Sequence, residues 1–376
     1  MIYFDNAASS KVSRAAREAS AEVMDSAGNP SAGHYRGRLA KGRLRDARAA
    51  VAGLLNAPEN DVYFTSGGTE SNCLAVLGAV KRPGVCAVTS KAEHPSVISC
   101  FKEIAARGAE TVFLQPDSEG RIDTGQLKSA INDRTVLASL MHVNHETGVI
   151  ADIEGFSRVI KSCGKDILFH VDAVQGFGKH PVDVRKWNAD MVSVSAHKIH
   201  GVSGTGALYV KAGVLGKLRP IMYGGGQERG IRPGTENLAG ICAFGVSAAE
   251  AGKELNENLN HVSAIKERLL RIPLEIAGAV INGGGSVSPY IINVSFPGIN
   301  SEVLQSALDA RNIYVSAGAA CNTSKKTPEN VVFAYGLGIA RAESAIRISL
   351  CKYNTVDDAE RLIAALKELT PGLRLR

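Results

Sequence analysis

The chain has 376 residues, of which 45% are hydrophobic, 21% charged and 5% aromatic, with 39 glycines. This balance excludes a disordered or low-complexity chain and predicts an α/β protein too large for one core, hence a large domain with a smaller one attached. Lys and Arg (43) exceed Asp and Glu (37) by six charges, too mild a bias to imply nucleic acid, and no direct nucleic-acid binding is expected.

The opening Met1-Ile2-Tyr3-Phe4-Asp5 carries no basic leader. No later apolar run approaches the roughly 20 residues of a bilayer span. A cytoplasmic location without membrane association is expected. Seven cysteines, at positions 73, 86, 100, 163, 242, 321 and 351, form no CxxC pair, which points away from a disulfide framework and from any metal site.

From about residue 40 to 215, short β-rich runs alternate with helical patterns, the mark of a largely parallel sheet covered by helices. The predicted strands are Asp61 to Thr65, Val85 to Ser90, Thr111 to Gln115, Val136 to Val143, Ile167 to Asp172, Met191 to Ser195 and Ala207 to Val210. Helices are predicted over Thr69 to Lys81 and Glu93 to Arg107. After about Gly252 the composition changes, and Lys253 to Arg271 reads as a polar amphipathic helix leading into a second domain. That domain holds a glycine turn at 283–285, β-like runs Ile291 to Phe296 and Ala345 to Leu350, a helix Ser301 to Arg311 and a terminal helix.

In sheets of this kind ligands gather at the carboxyl ends of the strands, and three motifs fall there. Ser195-Ala196-His197-Lys198 closes an apolar strand and precedes Gly201, Gly204 and Gly206. An amine at that place is either a solvated loop lysine or a group able to form a Schiff base with an aldehyde cofactor. Asp172 ends another apolar strand in His170-Val171-Asp172-Ala173-Val174-Gln175. A carboxylate there either caps the following helix or serves a cation, such as the protonated pyridine nitrogen of pyridoxal phosphate (PLP). Gln175 then either reaches the phenolic oxygen of the same ring or is a surface amide.

Thr65-Ser66-Gly67-Gly68-Thr69-Glu70-Ser71-Asn72 leads from a strand into a helix. Its helix-start amides and hydroxyl suit a small phosphate, held at Gly68 and Thr69, or merely cap the helix. It lacks the ending of a P-loop and the spacing of a dinucleotide fingerprint. The fourth feature is Cys321, set in Ser316-Ala317-Gly318-Ala319-Ala320-Cys321-Asn322. Small neighbours and a polar loop mark it as an approachable thiol, in contrast to Cys73, Cys86 and Cys242 in apolar patterns. Lys325 and Lys326 beside it suggest docking to an acidic surface.

Taken together, these residues resemble the NifS-like and IscS-like cysteine desulfurases of the class V aminotransferase group. The resemblance runs through Phe4-Asp5-Asn6-Ala7-Ala8, Gly28-Asn29-Pro30-Ser31, Thr65 to Asn72, Glu93-His94 and Val143-Asn144-His145-Glu146-Thr147-Gly148. It continues through Asp172 with Gln175, Ser195 to Lys198, Gly224 to Asn237, Cys321 and Arg347. It implies a type I, aminotransferase-like α/β fold. A large PLP-binding domain, 12–252, would carry a mostly parallel seven-stranded sheet, and a smaller α+β domain, 1–11 with 253–376, would carry the cysteine loop.

It also implies roles. Lys198 is the Schiff-base lysine, Asp172 and Gln175 serve the pyridine ring, and His94 stacks on the ring face. Thr69, Ser195 and His197 hold the phosphate, and Thr235 reaches the phosphate of a neighbouring subunit, which implies a homodimer. Asn144 and Arg347 hold the substrate carboxylate. Lys198 would move the Cα proton of L-cysteine, the Cys321 thiolate would take the sulfur as a persulfide, and L-alanine would leave. A sulfur-acceptor protein, an iron-sulfur scaffold or a tRNA-thiolation enzyme, would then receive the sulfur. The competing readings are a selenocysteine lyase, which Gly226 to Arg229 and Arg232 to Asn237 also resemble, another class V reaction such as transamination, and a non-catalytic sulfur-protein scaffold.

Overall fold

The computed structural model describes residues 1–164, 166–318 and 330–374. After β1 (Ile2–Tyr3) come β2 (Val62–Thr65), β3 (Cys86–Ser90), β4 (Glu110–Leu114), β5 (Thr135–Met141), β6 (Leu168–Asp172), β7 (Met191–Ser195) and β8 (Gly206–Val210). These seven later strands form one sheet in the order β2-β8-β7-β6-β5-β3-β4. β8 runs antiparallel to both its neighbours, and the remaining pairs are parallel. Each of the seven predicted strands is present, with ends differing by a residue or two.

The central strands are buried along their whole length, as expected when helices cover both faces of a sheet. A polar rung crosses them. The His170 ring bonds Ser139 Oγ on β5 at 2.8 Å and Ser193 Oγ on β7 at 2.9 Å. Burial drops its proton affinity to about 4, so the ring is neutral and bonds a hydroxyl on each side without a buried charge. The rung lies two residues before Asp172 and fixes the strand ends on which the site is built.

A second set of strands follows: β9 (Val280–Asn282), β10 (Ile291–Ser295), β11 (Ile313–Tyr314), β12 (Ser316–Ala317) and β13 (Ala345–Ser349). Four of them form an antiparallel sheet in the order β12-β13-β10-β9, while β1 pairs in parallel with β11. A separate apolar core joins Ile2, Phe4 and Ala7 to residues between Val262 and Leu366. The chain's first residues thus pack with its last hundred.

The helix predicted from Lys253 begins much earlier, running unbroken over Leu238–Leu269. Its first half is buried on several sides against the helix Tyr35–Leu54 and carries small residues at the contact. A Cβ at Gly245 would stand 2.6 Å from Ala47 Cα. Ala251 belongs to the core of the large sheet and Val262 to the second core, so one rigid helix spans both. Among the described residues no helix is long and apolar enough to cross a membrane.

Candidate functional site

A cavity of about 170 Å³ opens at the carboxyl ends of β6 and β7. Gly68, Thr69, His94, Asp172, Gln175, Ser195, His197 and Lys198 all line it. Eight positions scattered over 130 residues of sequence therefore meet at one place, as the strand-end rule requires.

Lys198 ends a short helical turn after β7, and its Nζ donates to the carbonyls of Ala7 and Ala8 at 2.6 and 2.7 Å. Burial lowers its proton affinity to about 8, helped by Arg347 and opposed by Asp5 and Asp172. A lysine so disposed supplies a neutral, nucleophilic amine near neutral pH. Asp172 is 6% exposed and held by two donors, Asn72 Nδ2 at 2.8 Å and the Val174 amide at 3.0 Å. It caps no helix, and one carboxylate face is left to the cavity. Gln175 is buried, not a surface amide, and donates from Nε2 to the Ala7 carbonyl at 2.9 Å.

The opposite wall begins the helix Gly68–Ala79, whose N-cap Gly67 makes no side-chain capping bond. Gly67 sits at φ +152, and a Cβ on its neighbour Gly206 would stand 2.6 Å from Gly67 Cα. Two glycines are therefore needed for this strand-to-helix turn to pass so close to β8. Ser195 Oγ beside it is buried without a partner among the described residues. Uncapped helix-start amides and an orphaned hydroxyl make a seat for an anion.

His94 caps the helix Pro95–Ala106, and its Nδ1 lies 2.8 Å from Ser96 Oγ. Its ring meets that of His145 edge-on, centroids 5.1 Å apart. Burial lowers the proton affinity of both rings, which favours the uncharged form of each. A seat for an anion, a carboxylate, an imidazole ring and an amine all line one cavity, and PLP calls for each of these groups. The donor set fits that cofactor.

Three expected residues lie elsewhere. Thr235 is exposed and does not line this cavity. Asn144 Oδ1 accepts from the amides of Glu146 and Thr147 and from Thr147 Oγ1, at 2.9, 3.0 and 3.1 Å, while its Nδ2 donates to the Ala92 carbonyl at 3.0 Å. It holds the turn after β5. Arg347, on β13, is 6% exposed; it donates to Asp5 Oδ1 and to the His145 carbonyl, both at 2.9 Å, and its Nε has no partner among the described residues.

Cys321 lies outside the described residues. The chain on either side of it is anchored beside Arg347. Ser316 is the register partner of Arg347, the Gly318 amide bonds the Ala345 carbonyl at 2.9 Å, and Asn330 Nδ2 bonds the Ala342 carbonyl at 2.9 Å.

Sequence reading missed several contributors. Asn72 was visible only as the end of a helix-start motif, yet it holds Asp172 and Ser96 together. Asp5 and the Ala7 and Ala8 carbonyls come from the chain's first residues. Glu93 is buried, accepts from the Met141 amide at 2.8 Å and keeps its other oxygen unpartnered. Burial, with Asp172 nearby, raises its proton affinity well above that of an ordinary carboxyl.

Comparisons with known proteins agree with this geometry. The model of the family "Aminotransferase class-V" matches residues 2–362. A cysteine desulfurase IscS of Methanosarcina thermophila is 36% identical over 99% of this chain and 93% of its own length. Among solved structures, a NifS-like protein superposes with a TM-score of 0.92 at 34% identity, covering 99% of this chain and 100% of its own. SspA in complex with cysteine gives 0.83 at 33% identity, over 94% and 100%. The chain belongs to the class V aminotransferase family, with the large mixed sheet and smaller α+β region of the type I aminotransferase fold, and matches its NifS- and IscS-like members closely.

Proposed function

We propose that this protein is a PLP-dependent cysteine desulfurase: it converts L-cysteine to L-alanine and passes the sulfur to Cys321 as a persulfide. The observation that carries the reading is Lys198, a buried amine with proton affinity lowered to about 8, sharing one cavity with Asp172 and an uncapped helix start. The likeness to proteins named cysteine desulfurases supplies the substrate.

When bound, PLP supplies an electron sink for negative charge developing at the substrate's Cα. Asp172, fixed by Asn72 and Val174, would accept the pyridine N–H. The amides at Gly68 and Thr69, with Ser195 Oγ and His197, hold the phosphate end, and His94 covers the ring face. Lys198 would be the amine that holds the aldehyde end, and its neutral form would be the base that moves the Cα proton. Arg347 takes the substrate carboxylate by exchanging it for Asp5. Cys321 attacks the substrate sulfur as a thiolate, and the S–S bond of the persulfide forms as the substrate Cβ–S bond breaks, its electron pair staying with the carbon skeleton that takes up protons and leaves as alanine.

The protein acts as a cytoplasmic homodimer in which Thr235 completes the neighbour's phosphate site, and its product sulfur goes to an acceptor protein for iron-sulfur assembly or tRNA thiolation. The test is product analysis with matched substrates. Purified protein with PLP should be yellow, yield equal amounts of alanine and sulfane sulfur from cysteine, and show PLP trapped on Lys198 by borohydride. Activity on selenocysteine alone, or alanine without sulfane sulfur, would overturn the reading.

A further inference from the structure

Lys179 is a charge buried where no motif predicts one. It follows the tight turn after β6 and is 6% exposed. Its Nζ donates to Gln175 Oε1 at 3.3 Å and stands 5.7 Å from the centre of the Tyr290 ring. Gln175 donates in turn to the Ala7 carbonyl at 2.9 Å, the same oxygen that accepts from Lys198 at 2.6 Å. Lys179, Gln175, Ala7 and Lys198 thus form one unbroken chain of hydrogen bonds.

The members of that chain restrict one another. A carbonyl only accepts, so Gln175 must turn its NH₂ toward Ala7 and its oxygen the other way. That oxygen is buried, and a buried acceptor needs a donor. Lys179 is the donor. With the amide so fixed, the second N–H of Gln175 is left for the cavity that the residue lines.

We infer that Lys179 is a positioning residue for the cofactor: it fixes the Gln175 amide so that an N–H meets the ring oxygen of PLP. The inference rests on the proposed function. Burial, then Lys198 and Arg347, weakens the hold of Lys179 on its proton to about 7, while Cys351 strengthens it. Its charge is felt in turn by His180, His197 and His200. Glu250 and Glu254 border the small void that Lys179 shares with Lys198 and Cys351.

The test is a pH titration of the visible absorption band of the PLP-loaded protein. Lys179→Met keeps the unbranched shape and removes both donor and charge. The Gln175 amide is then free to turn, the ring oxygen loses the N–H that stabilises its negative charge, and the proton it shares with the Lys198 linkage is held to higher pH. The midpoint should rise by about one pH unit. Lys179→Gln, an uncharged donor, should shift it less than half as far. In a Gln175→Ala background, Lys179→Met should add almost nothing, because its route of action is gone. Should Lys179→Met fail to fold, Lys179→Gln takes its place, and its smaller shift must likewise vanish when Gln175 is alanine. An unmoved midpoint, or a full shift that survives in the Gln175→Ala background, overturns this inference alone. Wild-type protein that takes up no PLP overturns the proposed function and this inference with it.

Discussion

At the cofactor end of the site the helix start at Gly67 lacks a side-chain cap and Ser195 Oγ has no partner among the described residues, whereas at the Arg347 end, outside the lining of the cavity, most polar atoms are already bonded. Asn144 bonds to its own turn and to Ala92, and Arg347 holds Asp5 and the His145 carbonyl. The helix-start amides and Ser195 Oγ offer donors that an arriving anion can bond, so one end is prepared for a ligand. At the other end Arg347 Nε is unpartnered among the described residues, but its two terminal nitrogens must exchange one partner for another. Under the proposed function the cofactor would meet groups waiting for it, and the substrate carboxylate would bind by displacement.

The largest expected effect tests the prepared end. Lys198→Ala should abolish borohydride trapping of PLP and lower alanine formation by on the order of 10³-fold, since it removes both the attachment point and the base. Retained trapping would place the cofactor on another amine. The pH dependence of cofactor uptake comes next. With Lys198 titrating at about 8, the neutral amine is scarce at pH 6 and abundant at pH 8. Uptake by the apoprotein, followed by absorbance, should therefore accelerate by about 50-fold over that interval and level off above it. A flat profile would mean that the lysine is not the group attacked.

Smaller effects probe the exchanging end. Arg347→Lys keeps the charge but loses the planar fork, and should raise KM for cysteine by about 30-fold with the absorption spectrum of the bound cofactor unchanged. An unchanged KM would remove Arg347 from substrate binding. Asp5→Asn should act in the opposite direction, lowering KM by about threefold as the competitor for Arg347 loses its charge. A rise instead would make Asp5 a support of the arginine, and the contrast between the two ends would fail.

Much of the prepared end was legible in the sequence. Each strand carrying it is a short apolar run bounded by turn residues, and a polar residue closing such a run, as Asp172, Ser195 and then Lys198 do, falls at the carboxyl edge of the sheet. The exchanging end was not legible in the same way. Arg347 and Asp5 are 342 positions apart, and no local pattern announces that the chain's first residues pack with its last hundred. Asn72 was hidden for a similar reason, since its partner Asp172 lies 100 positions on. The long helix was half missed because amphipathic periodicity fails where a helix is buried on several sides, as over Leu238 to Ala251. Lys179 was overlooked because a lysine after a glycine turn reads as solvated, and only the tertiary packing of Tyr290 and Gln175 buries it.

The central claim joins the two ends: Lys198 prepares cysteine for attack and Cys321 removes its sulfur. Mapping the added sulfur by peptide mass spectrometry, after brief exposure of the PLP-loaded protein to cysteine, tests it most directly. The account predicts one extra sulfur atom on the peptide containing Cys321, absent from Lys198→Ala, with alanine formation lost in Cys321→Ser. An added sulfur on another thiol such as Cys73 or Cys351, or undiminished alanine formation by Cys321→Ser, would contradict it.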